Sequence, residues 1–179
     1  SYTDVPIVVG GVHVTNSLAE EKTRHKFLSD LPSVSHFFTH EADVAFTEFI
    51  KNADSPIQNA PGRIIPGSQP EGEALNVIPA HDLITLPDLA SNGHIGSYHC
   101  FKPTGTRFST VLFNRGCRAR CTFCSVRNFN GFGVRGRSVQ SVIDELLILR
   151  HTHGVSHIMW LDDDFLQDKT RSLELFNEM

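Results

Sequence analysis

The chain reads as an α/β protein built on parallel strands, and three observations predict it. Near the N-terminus, short β-branched apolar runs alternate with amphipathic helical stretches in the order strand, helix, strand, helix. The same rhythm resumes from Arg107 onward. There, one strand runs straight into a cysteine-rich loop and the next into an acidic loop, and in parallel folds chemistry sits at such strand ends.

"PIVVGG" (Pro6 to Gly11) predicts a short buried strand followed by a turn that leaves the backbone bare. A single helix is expected over "TNSLAEEKTRHKFLSDL". Thr15, Asn16 or Ser17 would be its N-cap, Glu20 and Glu21 would lie in its first turn, and Pro32 would mark its end. "SHFFTH" (Ser35 to His40) predicts a second strand and "DVAFTEFIKN" (Asp43 to Asn52) a second helix, giving a doubly wound sheet. From Ala53 to Thr106, seven of the nine prolines interrupt the chain, so this reads as an extended connection with at most one helical turn near "AHDLITLPDL". "RFSTVLFNRG" predicts a strand, and "SVQSVIDELLILRHTHG" (Ser138 to Gly154) is the clearest helix, with Ser138 as cap and Gly154 as stop. "VSHIMWL" (Val155 to Leu161) predicts the next strand and "KTRSLELFNEM" the start of another helix. From Arg107 this is the opening of a (β/α) barrel or an open parallel sheet.

At 179 residues, 40% of them hydrophobic and 20% charged, the chain is a globular sequence of one ordinary domain or pieces of two. No apolar run approaches the roughly 18 residues that span a bilayer, so no membrane partner is expected. The N-terminus has no basic-then-apolar signal, and a cytoplasmic location is the expectation. A net charge of −4 gives no global reason to expect nucleic acid. That average hides an asymmetry. Between Ser91 and Ile143 there is no Asp or Glu, while Lys102, Arg107, Arg115, Arg118, Arg120, Arg127, Arg135 and Arg137 all fall there. Either these make a solvated basic face, or the block serves bound anions that relieve its self-repulsion.

Three of the four cysteines, Cys117, Cys121 and Cys124, lie in that block. A structural disulfide would leave one thiol over and suits a cytosolic chain poorly. Zinc takes four ligands, usually from two separated pairs, and here His99 and Cys100 would have to complete the set. An iron–sulfur cluster accounts best for clustered thiolates, which are soft ligands for iron, and nearby arginines favour the thiolate form. Three thiolates on four irons leave one iron open to a small molecule.

Cys117-x-x-x-Cys121-x-Phe123-Cys124, directly after a strand, resembles the signature of the radical S-adenosylmethionine (SAM) enzymes, and the likeness extends over Arg107 to Phe165. The resemblance implies that each of the three cysteines binds one iron of a 4Fe-4S cluster and that SAM chelates the fourth. Reductive cleavage of SAM would then give a 5′-deoxyadenosyl radical, with the electron supplied by a reductant such as flavodoxin or ferredoxin. Phe123 would lie beside the adenine, and Asp162 or Asp163 would hold the SAM ammonium.

Upstream, "IVVGGVHVT" followed by "FFTHEADVAFTEFI" is similar to the end of the cobalamin-binding domain that precedes many of these cores. Gly10 and Gly11 would lie against the nucleotide tail of cobalamin. Glu41 and Asp43 match acidic positions of that pattern, but His40 stands where the pattern has glycine. The expected organisation is therefore residues 1–53 as the C-terminal part of a Rossmann-like cobalamin-binding domain and 54–106 as a Pro/Gly-rich linker. Residues 107–179 would be the first βα units of a partial TIM-type barrel, and the whole a fragment of a longer enzyme.

The resemblance implies cobalamin-dependent methyl transfer to an unactivated carbon of a small molecule, and the surplus arginines would suit an anionic one. The alternatives are a cobalamin-dependent rearrangement or cyclisation, an RNA-modifying radical SAM enzyme, and a non-catalytic metal-binding module. His151, His153 and His157 are read as partners of a helix C-terminus, Trp160 as packed in the sheet, and Cys100 as a lone thiol.

Overall fold

The computed structural model describes residues 6–52, 62–84 and 107–179. These belong to two compact units, one of Ser1–Pro70 with Ala119–Phe132, the other of Glu71–Arg118 with Gly133–Met179.

The first unit is a three-stranded parallel sheet in the order β1 (Val8–Val9), β2 (His36–Thr39), β3 (Arg63–Pro66). β2 lies in the middle and all four of its residues are buried, as a strand covered on both faces must be. Side chains alternate along it. Phe37 packs with Val14, Leu18 and Val34, beneath helices α1 (Val12–Ala19) and α2 (Glu21–Asp30). His36 and Phe38 turn the other way, onto Phe46 and Phe49 of α3 (Asp43–Lys51). Helices on both faces confirm the doubly wound reading.

Two details depart from it. The single expected helix is two, broken at Glu20, because Thr23 Oγ1 and Arg24 Nε donate to the carbonyls of Ser17 and Leu18 and so close α1 from outside. α1 also starts at Val12, with Gly11 as its cap, so Thr15 is a helix residue whose hydroxyl donates to the Gly11 carbonyl. Second, the proline-rich connection contains β3, an edge strand, where a terminal proline is tolerated. Its exit requires a glycine: a Cβ on Gly67 would lie 2.2 Å from the Glu41 carbonyl oxygen. Further along come two 3₁₀ turns, Gly72–Leu75 and His81–Ile84; the remainder of "AHDLITLPDL", Lys102, His99 and Cys100 lie outside the described residues.

The second unit is a βαβ crossover. β4 (Phe108–Val111) pairs in parallel with β7 (His157–Trp160), Phe108 opposite His157. The expected strand through Arg115 is interrupted after Val111. Its remainder, β5 (Asn114–Arg115), pairs antiparallel with β6 (Arg135–Gly136). Between β5 and β6 the chain contributes residues 119–132 to the first unit, including the short helix α4 (Val126–Asn130).

α5 (Val139–His151) forms as the sequence requires: Ser138 accepts the amide of Ser141, and Gly154 takes φ +64° after the helix stops. α6 (Lys169–Glu178) is capped by Asp168. Val111 and Phe113, Val142 and Leu149, and Leu175 make the core, with Trp160 packed at its edge as expected. No helix among the described residues is long and apolar enough to cross a membrane.

Candidate functional site

The cysteine loop begins where β5 ends. None of its three thiols is in a disulfide; Cys117 is half-buried, and Cys121 and Cys124 are exposed. Cys117 belongs to the second unit, where its carbonyl accepts the amide of Gly133. Cys121 and Cys124 belong to the first, joined by an amide-to-carbonyl hydrogen bond of 3.2 Å at the entrance to α4. Phe123 between them is 90% exposed, an arrangement with no packing role in either core. Among the described residues no three His, Cys, Asp or Glu side chains converge on one point, so the loop is not a preformed seat for a single ion.

The acidic run at the end of β7 divides its work. Asp162 accepts the amides of Phe113 at 3.0 Å and Asn114 at 2.6 Å, one on each carboxylate oxygen. It thereby ties the exit of β7 to the exit of β4. Burial raises its pKa above the usual carboxylate value, and those two amides pull the other way. Asp163 accepts the amide of Gly116, one residue before the first cysteine, and is itself exposed. Asp164 pairs with Arg118 at 3.1 Å. Of the two aspartates expected to meet an ammonium group, Asp162 is thus engaged by two backbone donors, and Asp163 reaches the root of the cysteine loop.

The basic block is not one face. Arg137 is buried and fully committed, to Glu145, to both oxygens of Ser141 and to the Leu112 carbonyl. Arg107 donates to the His153 carbonyl at the end of the α5 connection. Arg120 and Arg127 lie over the Phe132 ring. Sequence reasoning missed the polar centre that Arg137 belongs to. Glu145 also takes His81 Nε2 at 2.8 Å, and both carboxylate and imidazole are buried. The one available signal was a glutamate on the apolar side of an amphipathic helix, between Val142 and Leu149. His153 fulfils its expected place at a helix end, with its ring edge-on to His81.

In the first unit, Gly11 takes φ +101° with nothing within 4 Å of a would-be Cβ, so its backbone is bare. Gly10 is tighter, 3.3 Å from Phe38. His13 stacks edge-on against Phe27. His40 is the one non-glycine residue with positive φ among the described residues, at +57°. That is the backbone state which glycine adopts without strain, at the position where the sequence pattern carries glycine. The Thr15 hydroxyl holds it by accepting the His40 amide at 2.8 Å. Glu41, next to it, is buried.

Two relatives of the chain are named as methyltransferases. The chain is 29% identical over 177 residues to a protein of Pyrococcus horikoshii named as an uncharacterized methyltransferase, covering 96% of this chain and 36% of that one. It is 39% identical over 82 residues to the cytidylyl-2-hydroxyethylphosphonate methyltransferase of Streptomyces wedmorensis, 46% of this chain and 15% of that enzyme. The chain therefore spans little more than a third of the length of the first relative and less of the second. No family model and no solved structure matches it.

Proposed function

We propose that the chain is part of a methyltransferase of the radical SAM type, acting with cobalamin. The observation that carries this reading is the trio of thiols Cys117, Cys121 and Cys124, none of them in a disulfide, on the loop that follows β5 in a chain whose relatives are named as methyltransferases.

The donor set suits a thiolate-held iron–sulfur cluster. Soft thiolates supply it, two of them are open to solvent, and a cluster places its ligands on separate irons, with no need for convergence on one ion. Such a cluster supplies the electron that cleaves SAM, while cobalamin supplies a methyl carrier. The chain's own share is to hold and orient. Asp163 fixes the Gly116 amide, and so the direction in which the loop departs. Its exposed carboxylate is the better placed of the two aspartates to meet the SAM ammonium, since Asp162 is occupied with β4. Phe123 offers an exposed ring for an adenine to stack on. Gly11 offers a bare backbone to the nucleotide tail of cobalamin, supported by the open space beside it.

The test uses the intact protein, reconstituted anaerobically with iron and sulfide. About four irons per chain are expected, with loss of the cluster in Cys121→Ala. Methyl-labelled SAM should then transfer its label to a carbon of the substrate. Retention of a single zinc and no iron would refute the reading. So would label transfer that survives Cys121→Ala, which would leave methyl transfer standing without radical chemistry.

A further inference from the structure

The antiparallel neck β5–β6, from which the cysteine loop departs, runs in one register. At its near end the Arg137 amide donates to the Phe113 carbonyl at 2.9 Å. Asn114 then faces Gly136, and Arg115 faces Arg135. At the far end the Gly133 amide donates to the Cys117 carbonyl at 3.3 Å, so Cys117 is the last rung of the ladder. Little in the two strands specifies this register, because they are short, polar and flanked or occupied by Gly116, Gly133 and Gly136. Glycine-rich ribbons slip easily, and a slip of one residue turns every side chain to the opposite face.

A side chain from elsewhere supplies what the strands lack. Arg171 of α6 lays its guanidinium over the buried Phe113 ring, 4.4 Å from the centroid. From there Nη1 donates to Asn114 Oδ1 at 3.2 Å and Nη2 to the Arg137 carbonyl. The fit depends on Gly136: a Cβ there would overlap both terminal nitrogens of Arg171 and lie 2.7 Å from Asn114 Oδ1. Slipping the ladder by one residue would bring Arg135 or Arg137 opposite Asn114, and either carries the Cβ that the guanidinium excludes. The ring, the amide oxygen and the carbonyl are all neutral. What they use is the shape of the guanidinium, one flat face and a fork of donors.

We propose that Arg171 is a positioning residue, which locks the register of the neck and thereby sets the face on which Cys117 stands. It acts through the ladder, and every residue of the lock belongs to the second unit. That Cys117 binds iron rests on the function proposed above; the register lock does not. If both hold, a slipped neck turns Cys117 to the wrong face and leaves the cluster one ligand short.

The experiment follows alkylation of the half-buried Cys117 by iodoacetamide in the intact, reduced, cluster-free protein, read by peptide mass spectrometry. Arg171→Met should speed it about tenfold. Arg171→Lys should do the same, since lysine keeps the charge but has neither the flat face nor the fork. Gly136→Ala should match them, and combining it with Arg171→Met should add little, because both remove one fit. Val142→Ala, a core truncation away from the neck, should leave the rate within about twofold of the parent. In the unaltered protein the Gly133 and Arg137 amides should be protected together from hydrogen exchange, which checks the ladder without any variant. After anaerobic reconstitution, Arg171→Met should yield its iron to a chelator faster than the parent does. A parent that takes up no iron refutes the cluster reading, while the alkylation rates still decide the lock. The parent rate in Arg171→Lys, an equal rise in Val142→Ala, or a Gly133 amide exchanging as fast as in an unfolded chain would overturn the proposal.

Discussion

The two parallel sheets of this chain fasten their C-terminal edges by opposite means. In β1–β2–β3 the edge is shaped by backbone: a left-handed His40, a Gly67 with no room for a side chain, and aromatic rings packed on either face of β2. In β4–β7 it is tied by charged side chains. Asp162 bridges the strand exits, Arg137 holds the Leu112 carbonyl, and Arg171 lies over the Phe113 ring while donating to Asn114. Only the second edge gives rise to the cysteine loop. A loop that must leave in a set direction is better held by directional bonds to strand-exit amides than by packing, which tolerates small rotations.

That contrast breaks most sharply at Glu145. Glu145→Ala leaves Arg137 buried without its counter-charge, and equilibrium unfolding should show a loss of about 3–5 kcal/mol. Glu145→Leu, which keeps the volume but not the charge, should lose a similar amount, and the double variant Glu145→Leu/Arg137→Met should recover most of it; a stable single Glu145→Leu variant would show that Glu145 matters only for its volume. Next in size, Asp162→Asn turns an acceptor toward two amides into a group with one acceptor and one donor. It should cost about 1–3 kcal/mol. A change below about 0.5 kcal/mol, within the scatter of ordinary surface substitutions, would show that the strand exits hold without it.

The backbone-shaped edge should answer differently. His40→Gly should stay within about 1 kcal/mol of the parent, since relieved strain is offset by a freer unfolded chain. His40→Val should cost roughly 1–2 kcal/mol because a β-branched residue resists positive φ. Equal effects of the two would deny the strain.

The smallest effect is in pH. Burial, aided by the Arg63 guanidinium, lowers the pKa of His36 below its ordinary value. The unfolded chain therefore takes up a proton near pH 6.5 that the folded chain refuses. Stability from this residue is flat above about pH 6.5 and falls as the pH drops below it. His36→Phe should flatten that fall in thermal unfolding measured between about pH 7 and pH 5. An unchanged slope would assign the effect to other histidines.

Much of this was legible in the sequence because it is local. The Ser138 cap, the apolar periodicity of α5 and the Gly154 stop are contained in one short stretch, and the helix forms as read. β2 and α3 were equally plain, as was the position of the cysteines at a strand exit. What could not be read depends on distant partners. β3 is a strand only because β2 offers it a ladder, and its own residues, Arg63 to Pro66, carry a proline that argues against it. The break at Glu20 needs Thr23 and Arg24 to fold back on the helix before them. His81 and Glu145 are 64 residues apart, and nothing in either neighbourhood names the other. The basic block was legible as a block, but its division into buried, stacked and backbone-bound arginines was not.

The pairing of β4 with β7 has a consequence in time. Phe108 meets His157, 49 residues further along, so this sheet closes only after the whole intervening segment has been gathered, at an entropic cost that rises with its length. Contacts of such long sequence separation slow folding. α5, whose contacts are local, can form early and wait. The cysteine loop lies inside the segment being gathered, so its thiols pass through a period when neither strand exit is fixed. Once the sheet is closed, Cys121 and Cys124 still face solvent. Their accessibility thus outlasts folding, and chemistry at those two sulfurs need not be completed while the chain is being made.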